Sequence, residues 1–196
     1  MDLILLQPGD PTFFPPGDWS TGGTLVNSHL QDAHLNAGQC IELVSLHQGM
    51  HQSFTTNKAA PSTNHPVITE LTCVKYVDKL SSKLYEYCLR AEPLSKGKAH
   101  PTLIYILRNN GDHIVNVMTI TLRDALVSEI QVQLHTDDMP TEQFKLNFTE
   151  ILWTYTEQTT DSNVADKVSA GWSKERNRTI TGFTDSCNTN YSVALT

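Results

Sequence analysis

The feature that most restricts this chain is a change of phase within residues 143–157. Phe144, Leu146 and Phe148 are apolar at even positions, whereas Ile151, Trp153 and Tyr155 are apolar at odd ones. A strand turns alternate side chains to opposite faces, so a shift of one residue moves the whole apolar set across the sheet. A strand of this kind carries a bulge or is covered on both faces, and either choice suits a curved, closed sheet.

The remaining sequence also reads as mostly β. β-branched and aromatic residues gather in short runs separated by turn residues. Residues 2–7 form a first strand ended by Pro8-Gly9. Cys40, Val44, Leu46 and Met50 predict a half-buried strand with its even positions inward, and Val67, Leu71, Cys73 and Val77 predict the next on odd positions. Residues 102–107 and 114–122 flank Asn110-Gly111, a hairpin signal. A further strand over 126–134 places Ile130, Val132 and Leu134 on one face, and Asp137-Asp138-Met139-Pro140 turns the chain after it. Ala170-Gly171-Trp172 opens a last short strand. One helix interrupts the series: Leu80, Leu84, Tyr87, Cys88 and Ala91 form a single stripe at helical spacing. Ser81 or Ser82 is placed to cap it, Glu86 and Arg90 to pair along it, and Pro93 to stop it.

Three segments lack such periodicity. Residues 8–38, with Pro15-Pro16-Gly17 and Gly22-Gly23, read as a long insertion loop; 158–168 is a polar loop; 180–196 is a C-terminal tail. No internal repeat divides the chain, so 1–179 is expected to be one domain. The polar stretch 53–66 is too long for a tight hairpin, and its composition builds no core.

The net charge of -7 argues against a nucleic-acid binder, which works by neutralising phosphates. No apolar run approaches the roughly 18 residues of a membrane span, and no basic segment precedes Leu3 as in a cleaved signal peptide. Cys40, Cys73, Cys88 and Cys187 form no Cys-x-x-Cys pair and read as free thiols, Cys73 and Cys88 as small core hydrophobes. The sequon at Asn147 falls inside a strand; two others lie at Asn177 and Asn190.

Catalytic chemistry is sought without result. No nucleophile elbow, Walker loop or dinucleotide fingerprint occurs. His47 and His51 share a predicted strand face, yet a catalytic zinc site needs three protein ligands, and solvent-facing histidines account for them. Asp137 and Asp138 read as a turn and Trp153 as packing; Glu157, Asp161 and Asp166 read as solvated loop. No cofactor or metal is expected, and no enzyme.

Several stretches, in order, resemble the haemolysin-coregulated protein (Hcp) family, the tube subunits of bacterial type VI secretion systems. Residues 41–50 resemble the family's second strand, and 74–84 (Val-Lys-Tyr-Val-Asp-Lys-Leu-Ser-Ser-Lys-Leu) the stretch that enters its single helix. Residues 120–128 and 146–155 resemble two later strands, and Ala170-Gly171-Trp172 its late glycine-tryptophan signal. Leu46-His47 stands where the family carries an aromatic pair, Ser82 where it carries proline, and the 8–38 loop is longer than usual.

The resemblance implies a β-barrel of two antiparallel sheets with one flanking helix and long loops. It implies homohexameric rings stacked into a tube, with a contractile sheath, a spike and small effectors as partners. It further implies a cytoplasmic protein that is later secreted through the type VI apparatus. At the position of 53–66 the family carries an extended loop that reaches a neighbouring subunit or ring. This makes Thr55, Thr56, Asn57, Lys58, Pro61, Ser62, Thr63 and Asn64 candidate contact residues. A secreted β-barrel ligand-binding module and a contractile phage tail-tube protein are the alternative readings.

Protein made in bacterial cytoplasm is expected to show four free thiols by intact mass without reductant. A native Cys73–Cys88 link would overturn that expectation.

Overall fold

In the computed structural model, which describes residues 2–14, 39–52, 54–55, 62–63, 66–95, 99–109, 114–134, 136, 138–156 and 167–183, the alternating runs become strands as their patterns dictate. In chain order these are β1 (Leu3–Gln7), β2 (Ile41–Leu43), β3 (Ser45–His47), β4 (Met50–His51), β5 (Phe54–Thr55), β6 (Ser62–Thr63), β7 (Val67–Ile68) and β8 (Leu71–Tyr76). After helix α1 (Ser81–Leu89) come β9 (Thr102–Asn109), β10 (Ile114–Arg123), β11 (Leu126–Gln133) and β12 (Thr141–Asn147). The last are β13 (Glu150–Thr156), β14 (Lys167–Ser173) and β15 (Arg178–Ile180). Seven strands form one antiparallel sheet in the order β15-β14-β13-β10-β9-β1-β2, and four form a second in the order β11-β12-β8-β3.

The chain passes directly from one sheet to the other at three corners. Between β2 and β3 only Val44 intervenes, and its N–H bonds the Val74 carbonyl 2.7 Å away. Between β10 and β11 lie Asp124, at φ 49°, and the buried Ala125. Between β12 and β13 lie Phe148 and Thr149, whose N–H bonds the Arg123 carbonyl at 3.1 Å. The phase change in 143–157 is this third corner. It is not a bulge: β12 belongs to the smaller sheet and β13 to the larger, and β13 is itself buried on both faces, at Glu150, Leu152 and Thr154 as well as at Ile151. Bulges occur elsewhere, between Asn116 and Met118 in β10 and between Val127 and Glu129 in β11.

The core between the sheets takes Leu6, Ile41, Ile104, Ile120 and Ile151 from the larger sheet and Leu71, Cys73, Val127, Phe144 and Leu146 from the smaller. Leu80, Leu84 and Tyr87 of the helical segment close one side, as their stripe predicts. Phe13, inside the stretch read as an insertion loop, is also fully buried and packs edge-on against Tyr87, with centroids 5.1 Å apart. The rest of that loop, 15–38, lies outside the described residues, as do Cys187 and most of the expected tail. Ile180, placed in the tail by sequence, is the last residue of β15 and is buried. A second cluster, Leu5, Cys40, Tyr105, Leu107 and Ile114, lines the other face of the larger sheet.

Two strand expectations shift phase. In the Cys40 strand the odd residues Ile41 and Leu43 point inward, while Val44 and Met50 are exposed, because the chain changes sheets at Val44. Along β11 the predicted face runs out of the core: Ile130 packs against it, but Val132 and Leu134 are exposed. Tyr155 likewise emerges into solvent, while Trp153 is partly buried against the core. Gly171 has a steric role, since a β-carbon there would stand 2.3 Å from Cδ2 of Leu152.

The helix is fastened by a buried charge cluster. Lys75, on the inward face of β8, is 1% exposed, and its Nζ stands 2.7 Å from Oε1 of the fully buried Glu142 on β12. Nζ also donates to the Tyr76 carbonyl at 2.8 Å, to Oδ1 of Asp78 at 2.9 Å and to Oγ of Ser81 at 3.1 Å. Ser81 and Tyr85 of α1 donate to the two Glu142 oxygens at 2.8 and 2.6 Å. Burial first, and then the Glu142 carboxylate, push the Tyr85 hydroxyl up to about 12. Ser81 is therefore spent on this cluster, and no side chain caps the helix start. Asp78 instead accepts the Leu80 N–H at 2.8 Å.

Along the helix Arg90 and Glu86 pair at 2.6 Å, as predicted. The helix ends at Leu89 in a Schellman turn: Ala91 N–H bonds the Cys88 carbonyl, Glu92 N–H bonds the Tyr87 carbonyl, and Ala91 sits at φ 49°.

Glu142→Ala leaves the buried Lys75 ammonium with Asp78 alone as counter-charge and takes the acceptor from Ser81 and Tyr85, and is expected to cost about 3–5 kcal/mol in urea unfolding. A loss below 1 kcal/mol would show that the cluster does not hold the helix. Ala91→Gly removes the β-carbon from a left-handed position and should stabilise the chain by roughly 0.5–1 kcal/mol. An unchanged or lower melting temperature would contradict it.

Candidate assembly surface

Beyond β3 the chain leaves the smaller sheet as a narrow ribbon. Its root is fixed from both sides. Trp153 of β13 donates its indole N–H to Oε1 of Gln48 at 3.2 Å, which ties the root to the larger sheet. Gly49 N–H bonds Oγ1 of Thr69 at 2.8 Å, and Thr69 N–H returns to the Gly49 carbonyl at 2.9 Å. Met50 then pairs with Ile68 and His51 with Val67; farther out Phe54 pairs with Thr63 and Thr55 with Ser62. β4 pairs only with β7, and β5 only with β6, so among the described residues the arm joins neither sheet.

The sequence presented 53–66 as polar loop, and the structure gives it ladder pairing. Thr55 lies in β5, and Ser62 and Thr63 lie in β6. Thr56, Asn57, Lys58, Pro61 and Asn64 lie outside the described residues. Two-residue strands carry too little periodicity to be recognised, and their partners are set only once the root is closed.

The root carries apolar side chains in water. Met50 is 59% exposed and Val67 47%. Such a ribbon has no sheet of its own to pack on, and a lone two-stranded ribbon is marginal in water.

The two histidines read from sequence as sharing a strand face lie in this region. His47 lies in β3 opposite Thr72, and His51 lies in β4 opposite Val67, so they belong to different strands, both exposed. Among the described residues no group of three His, Cys, Asp or Glu side chains converges. Asp138 accepts the Met139 N–H at 2.8 Å, a turn contact. Glu157, Asp161 and Asp166 lie outside the described residues. A cleft of about 380 Å³ between Pro8, Gly9, Asp10, His100 and Leu103 contains one carboxylate, which is already bonded to Thr12 and Tyr87. Cys40 and Cys73 are buried free thiols, and burial pushes both thiols up, Cys40 to about 12. Among the described residues no helix is long and apolar enough to cross a membrane.

Two antiparallel sheets joined at corners, one flanking helix and a β-arm define a β-barrel subunit. The profile of the family described as "Type VI secretion system effector, Hcp" matches residues 31–155, and the chain belongs to that family. It is thus a tube subunit of a type VI secretion system.

Solved structures share the fold. A protein described as a type six secretion system protein aligns over 92% of this chain and 100% of its own, with a TM-score of 0.68 and 18% identity. Hcp1 from Salmonella typhimurium aligns over 91% and 99%, with a TM-score of 0.62 and 20% identity. The secreted protein Hcp3 from Pseudomonas aeruginosa aligns over 86% and 97%, with a TM-score of 0.50 and 14% identity. No curated protein matches the chain in sequence.

Proposed function

We propose that this protein closes into homohexameric rings that stack into the inner tube of the type VI apparatus. Residues 55–64 of the arm contact a neighbouring subunit or ring. The tube runs inside a contractile sheath, carries a spike at its tip and shelters small effectors in its channel. The protein waits in the cytoplasm until the apparatus fires. The role is geometric and uses no catalytic group.

One observation supports the reading most: an arm with exposed Met50 and Val67 at its root pairs, among the described residues, with neither sheet of its own chain. A ring needs a patch on one copy that fits a different patch on the next, and a projecting arm supplies one half of such a contact.

Light scattering at micromolar concentration should give six times the 21.9 kDa chain mass, and negative-stain images should show six-fold rings. Replacing 56–64 with a short Gly-Ser linker should spare the barrel, whose core takes nothing from the arm beyond Ile68 among the described residues. It should weaken tube formation and secretion. If the shortened protein forms tubes and is secreted like its parent, the arm is only a connection.

A further inference from the structure

The larger sheet is left with half of one edge open. β14 pairs with β13 along all of Lys167–Ser173, but with β15 only over Gly171–Ser173, where Gly171 opposes Ile180. Among the described residues, Val168, Ser169 and Ala170 thus have a ladder partner on one side only. In an antiparallel pair every second residue turns its N–H and C=O away from its neighbour, so this stretch offers backbone groups to a further strand. Its side chains are exposed as well. Val168 is 67% exposed and its cross-strand partner Tyr155 43%. Ala170, on the same face, stands opposite Trp153. Direct extension of β15 does not fill the gap. The chain bends at Thr181 and Gly182, both exposed, and a β-carbon on Gly182 would meet no atom within 4 Å.

We propose that this half-edge is the docking site of the chain's own residues 191–195, which add to it as a strand antiparallel to β14. Pattern, reach and charge favour that occupant. Tyr191, Val193 and Leu195 are apolar at odd positions, with the small Ser192 and Ala194 between them, the alternation of a strand with one apolar face. With Val193 set opposite Val168, Tyr191 falls opposite Ala170 and Ser192 opposite Ser169. Apolar side chains then meet across one face and serines across the other.

The tail also departs beside the place it is to fill. Ile180 opposes Gly171, the residue next to Ala170. Residues 184–190 reach up to about 25 Å when extended, whereas 167 to 170 span roughly 10 Å. Docking is therefore intramolecular, at a high effective concentration. Asp185 is the only charged residue among 184–196, so burying 191–195 strips no charge of water. The exposed Leu89, Val44, Met50, Leu134 and Met139 belong to other parts of the chain, none on a strand that pairs with β15. The other sheet edges, β2, β3 and β11, are not neighbours of β15 either. The tail closes the larger sheet within each copy, and this holds whether or not copies form rings.

Amide hydrogen exchange tests it, on the full chain and on a chain stopped after Phe183, compared at one concentration and in the same assembly state by light scattering. The outward-facing amides of Val168–Ala170 should exchange about tenfold or more faster in the shortened chain. Ser192→Pro combined with Val193→Pro removes a ladder donor whichever of the two faces β14. It alters no residue of the described core, so melting should stay near that of the parent while the same amides lose protection. Equal exchange in the full and shortened chains overturns the proposal. Protection that appears only as concentration rises also overturns it, and assigns the edge to another copy.

Discussion

The Lys75–Glu142 pair is the constraint around which the smaller sheet and the helix are arranged. Burying one ammonium or one carboxylate alone costs several kcal/mol, so each must find the other and then satisfy its remaining hydrogen-bonding capacity. That requirement sets β8 beside β12 in one register, with Lys75 opposite Glu142. It also brings Asp78, Ser81 and Tyr85 to the same point, which sets where α1 begins and which face it turns to the sheet. A helix of nine residues has little stability of its own. Its place depends on this cluster and on Leu80, Leu84 and Tyr87 in the core.

The three corners make the barrel. Each carries the chain between sheets within one or two residues, so the core is closed by covalent continuity as well as by packing. Arg123 and Glu150 brace the neighbourhood of two corners, with Nη1 3.2 Å from a carboxylate that is fully buried. Thr149 and Leu94 bond the backbone on either side of Asp124. With the interior closed in this way, several described apolar side chains remain in water, among them Leu89 on the helix, Val168 on the larger sheet and Met50, Leu134 and Met139 about the smaller one. Assembly is the physical outlet for such surface, and it agrees with a family whose members work as tubes.

Much of the fold was legible because it is local. The stripe Leu80, Leu84, Tyr87 repeats at helical spacing and folds as it reads. The odd positions Leu71 and Cys73 are inward, and Phe144, Leu146 and Ile151 all reach the core. The Glu86–Arg90 pair follows from spacing alone. The order of these segments around the Val74 to Leu84 stretch was enough for the family. The arm was only partly legible: 53–66 stood out by composition, but the pairing of Phe54 with Thr63 and of Thr55 with Ser62 did not.

The sequence by itself determined where the longer strands and the helix lie, the phase of most of them and the family, since each depends on the period of side chains along a few neighbouring residues. Only the tertiary structure decided what the phase change after Phe148 means, that Lys75 meets Glu142, that Ser81 leaves the helix cap to bond a carboxylate, and that Val44 and Met50 face solvent. Those outcomes turn on which sheet a strand joins. A period of two says that a strand has two faces, but which face is buried is settled by partners far away in the chain.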